Sequence, residues 1–155
     1  MDTFSLVRPT HHAHVQLSTT QPTEFVDVTD AVVRAVAESG IDTGLVNVQT
    51  THTTTAVLVN EAEPLLLEDF RALLARMAPL GVAYRHDDLP RRRDVPPGEP
   101  RNGHAHCRAL LLPTSVCLNV IEGRPVLGRW QRVFLVEFDG PRERALSIVA
   151  LGAAR

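Results

Sequence analysis

Seven histidines in three groups hold most of the chemical potential of this sequence. His11, His12 and His14 lie near the start, His52 sits in a threonine-rich stretch, and His86, His104 and His106 surround a long segment rich in arginine and proline. Imidazole exchanges a proton near neutral pH and is the commonest neutral metal ligand, so histidines converging from separate segments would suit acid–base work or a divalent metal. No local motif decides the matter. There is no HExxH, no CxxC and no histidine pair at i, i+4 spacing, and His104 and His106 would point to different sides of a helix. On spacing alone, histidines that cap, hydrogen bond or sit in solvent are the commoner outcome. A metal drawn from distant segments would find carboxylates in Glu61, Asp87 and Asp88. An anion site is the competing use, with Asn102 and His104 at a helix start, unpaired backbone N–H groups and many arginines.

The other candidates each carry a plainer reading beside the chemical one. Asn60 and Glu61 follow the apolar run Val57-Leu58-Val59 and could hold a ligand or act as a base, but they equally suit the approach to a helix. Trp130, the sole tryptophan, reads as core before it reads as the wall of a pocket. Arg91, Arg92 and Arg93 could attract phosphate, although such a run in a proline-rich loop is more often solvated. Cys107 reads as a buried structural thiol before a nucleophile. All sixteen basic residues are arginine, which excludes a lysine Schiff base or lysine nucleophile. Nucleophile elbow, P-loop and GxGxxG are absent.

The elements that must position these groups follow from periodicity. Residues 11–18 alternate Ala13, Val15 and Leu17 against His14 and Gln16, predicting an opening strand. Ala31, Val32, Ala35 and Val36 recur at helical spacing between Thr29 and Ser39, with Gly40 as the stop. GLVNVQTTHTTTAVLVNE predicts one or two strands broken near His52. Pro64 opens a second helix whose stripe is Leu66, Phe70, Leu73, Leu74 and Met77. Residues 82–103 carry four prolines and five arginines without apolar periodicity, a loop of a length that is uncommon unless functional or disordered. A short helix is expected over HAHCRALLLP, and three or four hairpin-linked strands after it, with turns at Glu122-Gly123 and Asp139-Gly140. Helices placed early and strands clustered late predict α+β, with residues 1–155 as one domain.

Composition bounds the partners. With 44% hydrophobic residues and a formal net charge of -2, neither disorder nor a basic nucleic-acid footprint is indicated. Two cysteines without framework spacing suggest a reducing compartment. No leader or membrane-length apolar run is evident, so a cytoplasmic location is expected.

Four segments together are more specific than any one: THTTTAVLVNE (51–61), YRHDD (84–88), NGHAHCRALLL (102–112) and GRPVLGRWQRVFLVEFDGPR (123–142). In order and spacing they resemble the YjbQ family, labelled secondary thiamine-phosphate synthase enzymes. The resemblance implies a mixed, mainly antiparallel β-sandwich with two to three helices, assembled as a homotrimer with sites near subunit boundaries. It implies that His52, His86 and His106 converge on a divalent metal such as zinc. Glu61 and Asp87 would be the acid–base candidates, and Asn60, Asn102, His104, Arg129, Trp130 and Gln131 would surround a small phosphorylated metabolite. The implied reaction joins a thiazole phosphate to an aminopyrimidine diphosphate. A non-catalytic trimer that binds a metal or anion as sensor or scaffold is the rival. Two positions depart from the family pattern: Pro113 stands where a glycine is expected, and Arg129 where a small hydroxyl residue is usual.

Overall fold

The structure is a computed structural model, and it describes residues 10–154. Strand β1 (Thr10–Ser18) is followed by β2 (Glu24–Asp27), helix α1 (Thr29–Ser39), β3 (Ile41–Thr50), β4 (Thr55–Glu61) and α2 (Pro64–Met77). After a segment with 3₁₀ turns at Arg85–Asp87 and Leu89–Arg91 come α3 (Gly103–Leu110), β5 (Ser115–Ile121), β6 (Arg124–Pro125), β7 (Gln131–Glu137) and β8 (Glu143–Ala154). Two sheets form, a five-stranded one in the order β1-β8-β3-β5-β6 and a three-stranded one in the order β2-β7-β4. Every ladder among the described residues is antiparallel, which narrows the expected mixed sandwich.

The layers follow from which faces are apolar. Val46, Val48, Val120, Leu146, Ile148 and Ala150 of the large sheet meet Val57, Val133 and Leu135 of the small one, with Val32, Ala35 and Val36 of α1 in the same cluster. The reverse face of the small sheet gives Ala56, Phe134 and Val136 to a second cluster with Leu74 of α2 and Ala105 and Ala109 of α3. Strand β7 is thus covered on both faces, so Val133 to Glu137 are all buried and the alternation expected of a half-exposed strand disappears.

Local chemistry sets the helix ends. The Thr29 N–H donates to Asp27 Oδ1 at 2.9 Å, and Gly40 closes α1 with φ +68°, a conformation that favours glycine. Pro64 starts α2, and the Leu66 N–H donates to Glu63 Oε2 at 2.7 Å. The expected stripe on α2 is only half right. Leu74 is buried and Leu67 and Phe70 pack beside it, while Leu73 and Met77 are exposed because the helix lies over a narrow three-stranded sheet. Strand β2, unforeseen at four residues, forms because Phe25 can pair with Val136 and bury its ring against Phe134. Pro113 is accommodated: its carbonyl accepts the Val57 N–H at 2.9 Å. Among the described residues no helix is long and apolar enough to cross a membrane.

Candidate functional site

The segment between α2 and α3 folds back so that its first 3₁₀ turn lies against the start of α3. His86 is on that turn and His106 on the first turn of α3, with ring centroids 4.7 Å apart. Asp87 holds the two elements together: its Oδ1 accepts the Gly103 N–H at 2.8 Å and lies 3.3 Å from His86 Nδ1. The helix needs this outside cap because Asn102, the residue ahead of it, makes no side-chain capping bond of its own. Gly103 permits the approach, since a Cβ there would meet Tyr84 Cβ at 2.5 Å. Further along, Arg92 pairs with Glu99 at 2.7 Å, which turns part of the long loop into a wall.

Opposite that wall stand the ends of β7 and β8. Glu137, fully buried, accepts from Arg144 Nε and Nη2 at 2.5 and 2.6 Å, and from the backbone N–H groups of Phe138 and Asp139 at 3.0 and 2.8 Å. Arg144 Nη2 also donates to Thr54 Oγ1 at 3.0 Å. Asn102 Nδ2 donates to Asp139 Oδ2 at 2.7 Å, and Arg142 pairs with the same oxygen at 2.8 Å. These walls enclose an open cavity of about 340 Å³ lined by Thr53, Thr54, His86, Arg92, Glu99, Pro100, Asn102, His106, Asp139, Arg142 and Arg144.

Burial holds the His106 imidazole below the usual histidine range, and His86 beside it acts in the same direction. At neutral pH His106 is therefore a neutral base or ligand. The three arginines of the cavity are each matched by a carboxylate, Glu99, Asp139 or Glu137. Their charge is balanced, but the guanidiniums are held in place.

His52 does not join this pair as a ligand. Its Nε2 accepts the Ala145 N–H at 3.0 Å, extending the sheet past the end of β3. That bond places the ring proton on Nδ1 and leaves no free lone pair for a metal. Burial, and Arg144 next, keep its imidazole below the usual range. Among the described residues no three or more His, Cys, Asp and Glu side chains are grouped to hold a metal ion. Within one chain, the described residues therefore bring His86 and His106 together without His52 as a third donor. His104, as its spacing required, faces the other side of α3, in a second cavity of about 400 Å³ with Tyr84, Asp87, Asp88 and Arg101. Its imidazole is also held low, by burial first and Arg108 second.

The remaining expected residues lie at the far end of β4 and β7. Asn60 pairs with Arg132 and Glu61 with Gln131, whereas the cavity adjoins the Thr55–Glu137 end. Six residue steps separate the two ends, about 20 Å at ~3.3 Å per residue. Asn60 Oδ1 accepts the Glu61 N–H, and Gln131 Oε1 accepts the Gly128 N–H. Trp130 is 62% exposed instead of core, because the short β6 and its following turn leave it beyond the sandwich, and the Arg129 guanidinium sits 4.6 Å from its ring centre. Cys107 is exposed, on the α3 face away from the apolar cluster. His12 and His14 lie on the outer face of β1, where His12 Nε2 is 3.0 Å from Ser147 Oγ. Sequence reasoning assigned no role to Thr53, Thr54, Glu99, Asp139, Arg142 or Arg144, and singled out Arg92 only within a solvated run. The Asp-Gly turn signal marked Asp139 as a turn residue and nothing more.

Two stacked antiparallel sheets, one capped by helices and ending in a small polar cavity walled by ion pairs, define an α+β domain. The chain belongs to the YjbQ family: the family model described as "UPF0047 protein YjbQ-like" matches residues 13–153. A UPF0047 protein of Archaeoglobus fulgidus is 42% identical over 135 residues, covering 87% of this chain and 97% of that one. The YugU protein of Bacillus subtilis is 31% identical, over 89% of this chain and 97% of its own. A YbjQ-like protein of unknown function from Sulfolobus solfataricus P2 superimposes with a TM-score of 0.84 at 33% identity, covering 94% and 99% of the two chains. A hypothetical protein from Aeropyrum pernix K1 does so with a TM-score of 0.81 at 35% identity, covering 92% and 98%.

Proposed function

We propose that the cavity binds a small phosphorylated metabolite and that His86 and His106 act there as an acid–base pair. What carries the reading is one juxtaposition: a neutral imidazole at His106, His86 beside it, and Arg92, Arg142 and Arg144 around the same 340 Å³ space. Guanidiniums held by carboxylates suit a multi-oxygen anion such as phosphate, and their remaining N–H groups can stabilise charge on a departing diphosphate. The reaction we assign is the thiamine-phosphate-synthase-like transfer of an aminopyrimidine to a thiazole phosphate with loss of diphosphate. No step is routed through a metal, since His52 is committed elsewhere. In this reading the working unit is a homotrimer, because Asn60, Glu61, Arg129, Trp130 and Gln131, about 20 Å away along one chain, reach a shared substrate only from a neighbouring subunit.

The test is titration of ¹⁵N-labelled protein with inorganic phosphate and diphosphate, followed by an assay for thiamine phosphate formation. Binding should perturb His86 and His106 signals, and His106→Ala should lower turnover by about 10²-fold or more if proton transfer limits it. A second reading, a non-catalytic anion sensor, is favoured by the charge balance of the three arginine pairs. It predicts phosphate binding with no turnover in the wild type.

A further inference from the structure

We infer that Asp87 is a positioning residue that sets both cavity histidines at once: it caps the helix bearing His106 and holds the ring proton of His86 on Nδ1. The inference rests on the reading of His86 and His106 as the working pair, and it assigns Asp87 away from proton transfer. One oxygen does both tasks. Asp87 Oδ1 accepts the Gly103 N–H at 2.8 Å, while Asn102 makes no cap: its Nδ2 donates to Asp139 and its buried Oδ1 has no hydrogen-bond partner among the described residues. The same Oδ1 lies 3.3 Å from His86 Nδ1, the long end of hydrogen-bond range. An ionised carboxylate only accepts, so Nδ1 carries the proton and Nε2 keeps its lone pair.

The close fit of the turn supports a built arrangement. A Cβ on Gly103 would stand 2.5 Å from Tyr84 Cβ and 3.1 Å from Asp87 Oδ1, so the turn is pressed onto the helix start. Carboxylates play this orienting part for imidazoles elsewhere, fixing the tautomer without exchanging a proton themselves. Removing Asp87 should therefore act on His86 chemistry as well as on helix stability. A residue that only capped α3 would act on stability alone.

The experiment is long-range ¹H–¹⁵N spectroscopy of histidine-labelled protein at pH 8, where neutral imidazoles report which nitrogen is protonated. In the wild type His86 should be mainly Nδ1–H, opposite to the preference of free histidine. Asp87→Ala should reverse that ratio, by about tenfold for a charge-assisted bond. Asp87→Asn, which retains an acceptor oxygen, should give an intermediate ratio and a melting temperature near wild type. A wild-type His86 that is mainly Nε2–H overturns the inference whether or not the variants fold, as does a ratio unchanged in Asp87→Ala. The phosphate titration fails or succeeds separately: a silent titration beside an Nδ1–H His86 removes the proposed substrate class and leaves the orienting role standing.

Discussion

Replacing Arg144 with methionine should be among the most damaging single changes available to this fold. Glu137 has no exposure and Arg144 only 7%, so the substitution leaves a carboxylate stranded in the interior. Of the five donors around Glu137, two come from Arg144; Thr19 Oγ1 and the N–H groups of Phe138 and Asp139 remain. Breaking a buried pair from one side costs about 3–5 kcal/mol, a large part of the ~5–15 kcal/mol that holds a typical domain. At ~2–4 °C per kcal/mol for a chain of this size, melting should fall by roughly 6–20 °C. Urea unfolding followed by far-UV circular dichroism measures the loss as a shift in midpoint at constant slope. The reasoning also requires that Glu137→Leu in the Arg144→Met background recover most of the loss, because it removes the stranded charge. A loss below about 1 kcal/mol in the single variant, or no recovery in the double, would refute the account of this pair as the rigid floor of the cavity.

Two further outcomes follow from the histidines. His52, His104 and His106 are held below their ordinary value of 6.5, so the fold binds fewer protons than the unfolded chain; stability should be complete above pH 6.5 and decline as pH drops below it. Urea midpoints between pH 8 and pH 5.5 test this, and His106→Asn should make the decline shallower. Zinc titrated calorimetrically should give the same isotherm for wild type and His52→Ala, whereas binding to the wild type that is lost equally in His52→Ala and His106→Ala would reinstate a three-histidine centre.

Much of the fold was legible because its periodicities are local. The α1 boundaries, the proline start of α2, the break between β3 and β4 around His52 and the C-terminal strand run all follow from alternation, capping and turn residues. What failed had non-local causes. Strand β2 is too short to show a period and exists because β7 offers it a partner. Trp130 looked like core by residue type, but burial depends on what lies above a side chain, and among the described residues only the Arg129 guanidinium lies over its ring, which stays 62% exposed.

By itself the sequence determined the α+β class, the absence of any lysine-based chemistry, and the separation of His104 from His106, since two residues along a helix place side chains about 200° apart. Only the tertiary structure decided which histidines meet. His86 and His106 are joined by a cap that reaches across sixteen positions, and His52 is withdrawn because a free N–H on Ala145 claims its nitrogen. Arg92, Arg142 and Arg144 became a site for the same reason. Ion pairs and hydrogen bonds are satisfied by whichever groups the fold brings within about 3 Å, and spacing along the chain does not encode that distance.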